Sequence, residues 1–146
     1  MPSTKALAEV ELSIPSRPEY VGVARLAILG VASRMRFSYD EVEDIRLAVG
    51  EACTRSIDRL SNGDETHTIT LRCLIDANRL TIEVRNPLSA MQPKEAPEPA
   101  SADLTGGAPE DNLSGVLIRI LMDEVDTEEQ PGEGVHLLRM VKYVAR

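Results

Sequence analysis

The chain has 146 residues, 42% of them hydrophobic, the length of one compact domain with one core, which excludes a multidomain machine. Only 3% are aromatic and none is Trp, so the core is built from Leu, Ile, Val, Ala and Met, and composition argues against a stacking platform for single-stranded nucleic acid. The 16 Lys and Arg against 24 Asp and Glu leave a formal net charge of -8, a field that repels phosphate backbones and argues against direct nucleic-acid binding.

From Ala8 to Ile14, the apolar residues Ala8, Val10, Leu12 and Ile14 alternate with Glu9, Glu11 and Ser13, the period of a strand with one buried face. Pro15 and Pro18 end it. Between Glu19 and Met35 the positions Tyr20, Val23, Ala24, Ala27, Val31 and Met35 recur at helical steps, which predicts a helix with Pro18 in its first turn. Ser38 and Glu41 carry the signature of a capping box, and Phe37 is placed to staple onto Val42, so a second helix starts there. Its apolar stripe runs Val42, Ile45, Val49, Ala52 and Ser56, while Asp44, Glu51, Arg55 and Asp58 share a neighbouring strip. Ser61-Asn62-Gly63-Asp64 stops it.

Alternation returns from Thr66 to Ile75 and, after Asp76-Ala77-Asn78, at Leu80, Ile82 and Val84, which reads as an antiparallel hairpin. Pro, Ala, Gly and acidic residues then dominate, and residues 87–111 are expected to form a mobile, lid-like loop within a single domain spanning 1–146. Leu113, Val116, Leu117, Ile120 and Leu121 predict a third amphipathic helix. Val125 to Glu128, the Gln130-Pro131-Gly132-Glu133-Gly134 turn, and Val135 to Val144 predict a closing hairpin.

This order of elements is that of an α+β two-layer sandwich, with helices on one face of a mainly antiparallel sheet. Cys53 and Cys73 sit in apolar-periodic stretches and read as small core residues of a reduced, cytoplasmic protein. No run approaches the roughly 20 apolar residues of a membrane span, and the start MPSTKALAEVEL lacks the apolar region of a signal peptide. His67 and His136 fall on separate strands, read as exposed, and form no metal constellation.

The run IPSRPEYVGVARLAILGVASRMRFSYDEVEDIRLAVGEACT, followed by RLTIEV and LIRILMDEV, resembles the anti-sigma factor family of RsbW type, serine-protein kinases on the GHKL ATPase fold. The resemblance covers almost the whole chain in the same order. It implies that the chain sequesters an alternative, stress-type sigma factor, forms a homodimer, and switches to an anti-anti-sigma (STAS-type) protein, which the family phosphorylates on serine. By spacing, Arg25 matches the family's partner-facing arginine and Glu19 is the nearest counterpart of its acidic residue. With Arg34 and Arg36 they give the first helix a mixed face, so Glu19, Arg25 and Arg34 are the expected partner contacts.

Three elements hold ATP in that family, and the chain departs from each. On the second helix the family sets a carboxylate, the base for the serine hydroxyl, one turn before an amide that ligates magnesium. Here Glu51 is retained as the catalytic candidate, but Arg55 follows it, and a guanidinium has no lone pair for a cation. Glu51 and Arg55 are spaced for an ordinary helix-surface ion pair, with direct phosphate binding by Arg55 as the sharper alternative. The aspartate that accepts the adenine amino group is Asn86, followed by Pro87 and by Leu88 where the family has glycine. The glycines of the phosphate-cradling lid fall on Asp111, Asn112 and Ser114, with Gly115 displaced by one.

The departures at Arg55, Asn86, Ser114 and Gly115 imply a degenerate site, in which ATP binding and kinase activity are weak or lost and no cofactor or metal is expected. ATP and magnesium enter only if that site still works. The expected function is an anti-sigma factor kept for partner binding, without nucleic-acid or membrane contacts. An active ATP-dependent serine-protein kinase with a rebuilt pocket, and an adaptor domain with a non-sigma partner, are the alternatives.

Overall fold

Period-two apolar rows have one face to bury, and helices with a three-to-four repeat have one stripe to bury, so the two pack together as layers. A computed structural model describes residues 7–60, 67–91 and 113–144. Five strands, β1 (Ala8–Pro15), β2 (Thr68–Ile75), β3 (Arg79–Pro87), β4 (Glu124–Gln130) and β5 (Val135–Tyr143), form one antiparallel sheet in the order β1-β2-β3-β5-β4. Three helices, α1 (Val21–Ala32), α2 (Tyr39–Arg59) and α3 (Leu113–Leu121), pack on it, and α2 touches both of the others. Both expected hairpins are present, and the fold is the α+β sandwich of the GHKL type. Of the segment expected as a lid-like loop, residues 92–111 lie outside the described residues.

The sheet register aligns the apolar rows. Val10, Cys73, Ile82, Met140 and Val125 lie side by side across all five strands, and the next row is Leu12, Leu71, Val84, Leu138 and Thr127. Against these rows α1 buries Val21, Ala24, Ile28 and Ala32, α2 buries Ile45, Ala48, Val49, Ala52 and Cys53, and α3 buries Ile118. Complete burial of an isoleucine or leucine side chain stabilises by about 1.5–3 kcal/mol, so these rows hold the layers together. The opposite face of the sheet is charged. There the buried Glu83 carboxylate is ringed by Arg72 at 3.7 Å, Arg85 at 3.2 Å and Arg139 at 3.7 Å.

The helix boundaries have local causes. The expected helix from Glu19 to Met35 divides into a 3-10 turn, Pro18–Tyr20, and α1 proper. Pro18 begins the turn, Tyr20 donates back to the Arg17 carbonyl, and after Ala32 the chain unwinds through tight bonds from Arg34 to Val31 and from Met35 to Ala32. The capping box forms as expected. Glu41 N donates to Ser38 Oγ at 3.1 Å and Ser38 N donates to Glu41 Oε1 at 2.7 Å, a cap worth about 1 kcal/mol. Cys53 and Cys73 are free thiols in the core, pushed up by burial to about 12 and about 11, with the Arg25 guanidinium pulling weakly the other way at Cys53.

Candidate functional site

Three elements that carry the apolar rows end them in a polar residue at the same edge of the core. On β3 the helix-facing row runs Leu80, Ile82, Val84 and then Asn86; on β5 it runs Met140, Leu138 and then His136; on α2 the stripe runs Ile45, Val49, Ala52 and then Ser56. Asn86 and His136 are register partners, and Asn86 Nδ2 donates to Ser56 Oγ at 3.1 Å. On β4 the same progression takes Val125 to Thr127 and Glu129. The polar ends meet at a small cleft of about 20 Å³ lined by Ala52, Arg55, Ser56, Arg59, Asn86, Thr127, His136 and Leu138.

Asn86 is 3% exposed, and its Oδ1 has no hydrogen-bond partner among the described residues. An unpaired buried amide oxygen costs about 1–3 kcal/mol, so an acceptor left open in a cleft wall marks a place for an N–H donor from a ligand. Ala52 and Leu138 make the apolar, buried floor of the cleft. Arg55 and Arg59, one turn apart on the last part of α2, both line the cleft. His136 sits deeper than expected for a strand histidine. Its side chain is 12% exposed, with Nδ1 3.9 Å from the Glu129 carboxylate, because its parity on β5 points it toward the helices.

Beyond the cleft, β3 runs into a short 3-10 turn, Leu88–Ala90, whose Leu88 N donates to the Gly134 carbonyl at 2.8 Å. Gly134 closes the β4–β5 turn at a φ of 67°, a conformation that favours glycine. Met91 then bridges back to Leu60 at the end of α2. The edge of the cleft is thus tied on two sides by backbone.

The structure brings together two of the expected nucleotide residues, Arg55 and Asn86. Glu51 is half-buried one turn earlier on α2 and does not line the cleft, and Gly115 is buried in the first turn of α3, where Ser114 precedes it. Of the expected partner contacts, Glu19 is exposed and paired with Arg17 at 3.1 Å, and Arg34 is exposed just past α1. Arg25 turns inward: a Cβ at Gly50 would lie 2.5 Å from its Nε, so glycine at that position makes room for the guanidinium against α2. Sequence reasoning had missed Ser56, Arg59, Thr127 and His136. The available signal was periodicity: Thr127 and His136 fall on the helix-facing rows of their strands, and Ser56 and Arg59 continue the apolar stripe of α2 at helical steps.

Whether these residues suit a nucleotide divides by chemistry. The open Asn86 acceptor and apolar walls suit the amino-bearing edge of an adenine ring. For magnesium, the two cleft-lining arginines offer no lone pair, so Arg55 cannot act as a metal ligand.

The sequence pattern of the histidine kinase-like ATPase domain matches residues 14–142. The serine-protein kinase RsbW of Bacillus pumilus is 35% identical over 143 residues, covering 94% of this chain and 86% of the relative. Its Bacillus subtilis counterpart is 34% identical over 139 residues, with 92% and 85% covered. That of Listeria monocytogenes is 34% identical over 145 residues, with 93% and 87% covered.

Proposed function

Because the chain belongs to the histidine kinase-like ATPase family, in its RsbW-type branch, we propose that it is an anti-sigma factor with weak or lost phosphoryl-transfer activity. It sequesters an alternative, stress-type sigma factor and is relieved by an anti-anti-sigma protein. The observation that carries this reading is Arg55 in the cleft, where the family's metal-ligating amide stands, beside Asn86, which keeps an acceptor oxygen where the family has aspartate. Without a metal ligand the γ-phosphate has no divalent charge to neutralise it in flight, so transfer to a serine hydroxyl is slow.

The cleft residues divide the work of holding ATP when it is bound: Asn86 accepts from the base, Ala52 and Leu138 enclose the ring, and the arginines attract phosphate. Glu51, one turn before Arg55, is the candidate base for a serine hydroxyl. Its retention favours the second reading, an active serine kinase, and a phosphorylation assay decides between them.

The partner surface is assigned to α1 and its flanks. Glu19 and Arg34 are exposed there, and Val23 and Leu26, 45% and 70% exposed, add apolar area between charges, the composition of a binding face rather than of solvated helix. The reading also includes a homodimer in the cytoplasm; among the described residues no helix is long and apolar enough to cross a membrane.

The test is capture from native lysate with the tagged full-length chain, followed by incubation of the captured antagonist with radiolabelled ATP. A sigma factor and a STAS-type protein are expected in the eluate, with no serine phosphorylation. Recovery of neither protein overturns the partner assignment and turns attention to a non-sigma adaptor role. Stoichiometric phosphorylation of the antagonist overturns the loss of activity.

A further inference from the structure

The cleft combines features that belong together only around an anionic ligand with a heterocyclic end. A buried, unpartnered amide oxygen lies in its wall at Asn86, apolar residues flank it at Ala52 and Leu138, and two arginines line it from α2, Arg55 and Arg59. Arginine meets phosphate oxygens with paired N–H donors in a planar fork and needs no bridging cation. The same guanidinium excludes a cation by charge and by want of a lone pair.

We propose that this cleft binds an adenine nucleotide without a divalent metal, Asn86 Oδ1 accepting from the base amino group and Arg55 and Arg59 neutralising the phosphates directly. The inference rests on the cleft being the family's nucleotide site and deepens it: what has been lost is the metal-dependent mode of binding, and a metal-free mode has taken its place. Ser56 serves as a positioning residue. Its hydroxyl takes the Asn86 amide nitrogen at 3.1 Å and so turns the carbonyl oxygen toward the ligand. The protein thereby becomes a nucleotide-occupied binding domain in which occupancy, and not turnover, is the chemical state of the site.

The experiment is calorimetric titration of the full-length chain with ADP, once in excess magnesium and once in EDTA. The dissociation constant is expected to agree within about twofold between the two conditions, since no cation takes part. Arg55→Asn, which recreates an amide at that position, should weaken ADP binding in EDTA by about tenfold or more and make it magnesium-dependent. Arg55→Lys, which keeps the charge and loses the fork, should fall between the two. Thermal unfolding of each variant without ligand separates loss of binding from loss of fold.

Binding that requires magnesium in the unmodified chain, absence of ADP binding in both conditions, or Arg55→Asn binding undiminished in EDTA would each overturn the proposal. Sigma-factor capture by a chain that binds no ADP would overturn it while leaving the anti-sigma reading in place. Metal-free ADP binding by a chain that captures no sigma factor would do the reverse.

Discussion

The core-facing row of β5 is polar at both ends, and the two ends are treated differently by the rest of the fold. At one end Lys142, 8% exposed, donates its ammonium to the Leu121 carbonyl at the end of α3 at 2.7 Å and lies 3.7 Å from the Asp44 carboxylate. At the other, His136 opens into the cleft beside Asn86, whose buried oxygen meets no partner among the described residues. A cation at a helix C-terminus satisfies an orphan carbonyl and complements the helix dipole, so the Lys142 end is finished structure. The Asn86 end carries an unmet hydrogen bond, the mark of a place completed by something else. Burial of polar groups is common to both; satisfaction is what separates a structural polar residue from a ligand-facing one.

Stability measurements test that contrast directly. The largest effect is expected midway between the ends, where Ile82→Ala opens a cavity under α2 and should lower the unfolding free energy by about 2–5 kcal/mol in urea titration. Lys142→Met removes a donor from a finished contact and should cost about 1–3 kcal/mol, with α3 the first segment to lose amide protection. Asn86→Leu at the open end should change stability by less than about 1 kcal/mol in either direction while abolishing ADP binding, the pattern of a site that gives up stability for function. A large loss at Asn86 together with a small one at Lys142 would invert the contrast and undo it.

The core thiols give the smallest and most local readout. Burial raises Cys53 to about 12 and Cys73 to about 11 from an ordinary 9.0, so in the native state neither should react with a disulfide reagent below pH 9. The sign of the linkage follows. A raised folded value means that the native chain keeps protons the unfolded chain has lost, so these groups leave stability untouched below pH 9.0 and erode it as pH climbs toward 11 and 12. Rapid labelling of Cys53 at neutral pH would show that the layer next to the cleft is open to water.

Much of the scaffold was legible from local chemistry. The alternation at Val10, Leu12 and Ile14 and at Leu80, Ile82 and Val84 reports a strand's two faces directly, and the Ser38 and Glu41 pair marks the start of α2 because both cap bonds are made within four residues. Arg55 and Asn86 were legible as candidate site residues through the family motifs. His136 was misread as an exposed strand residue, since a single polar residue on a strand is assigned to solvent unless the far side of its row is known. Arg25 was read as facing a partner, whereas the folded chain turns it onto Gly50, a contact between residues 25 positions apart that no helical period announces.

Periodicity, caps and composition were therefore enough for the layers, the helices and the acidic, aromatic-poor character of this chain, because each depends on neighbours within a turn or a strand pair. Only the tertiary structure decided that Ser56, Asn86 and His136 meet, and that Asn86 keeps an oxygen unpaired while Lys142 does not. Hydrogen-bond satisfaction is a sum over everything that surrounds a group, and those surroundings are assembled from segments remote in the chain.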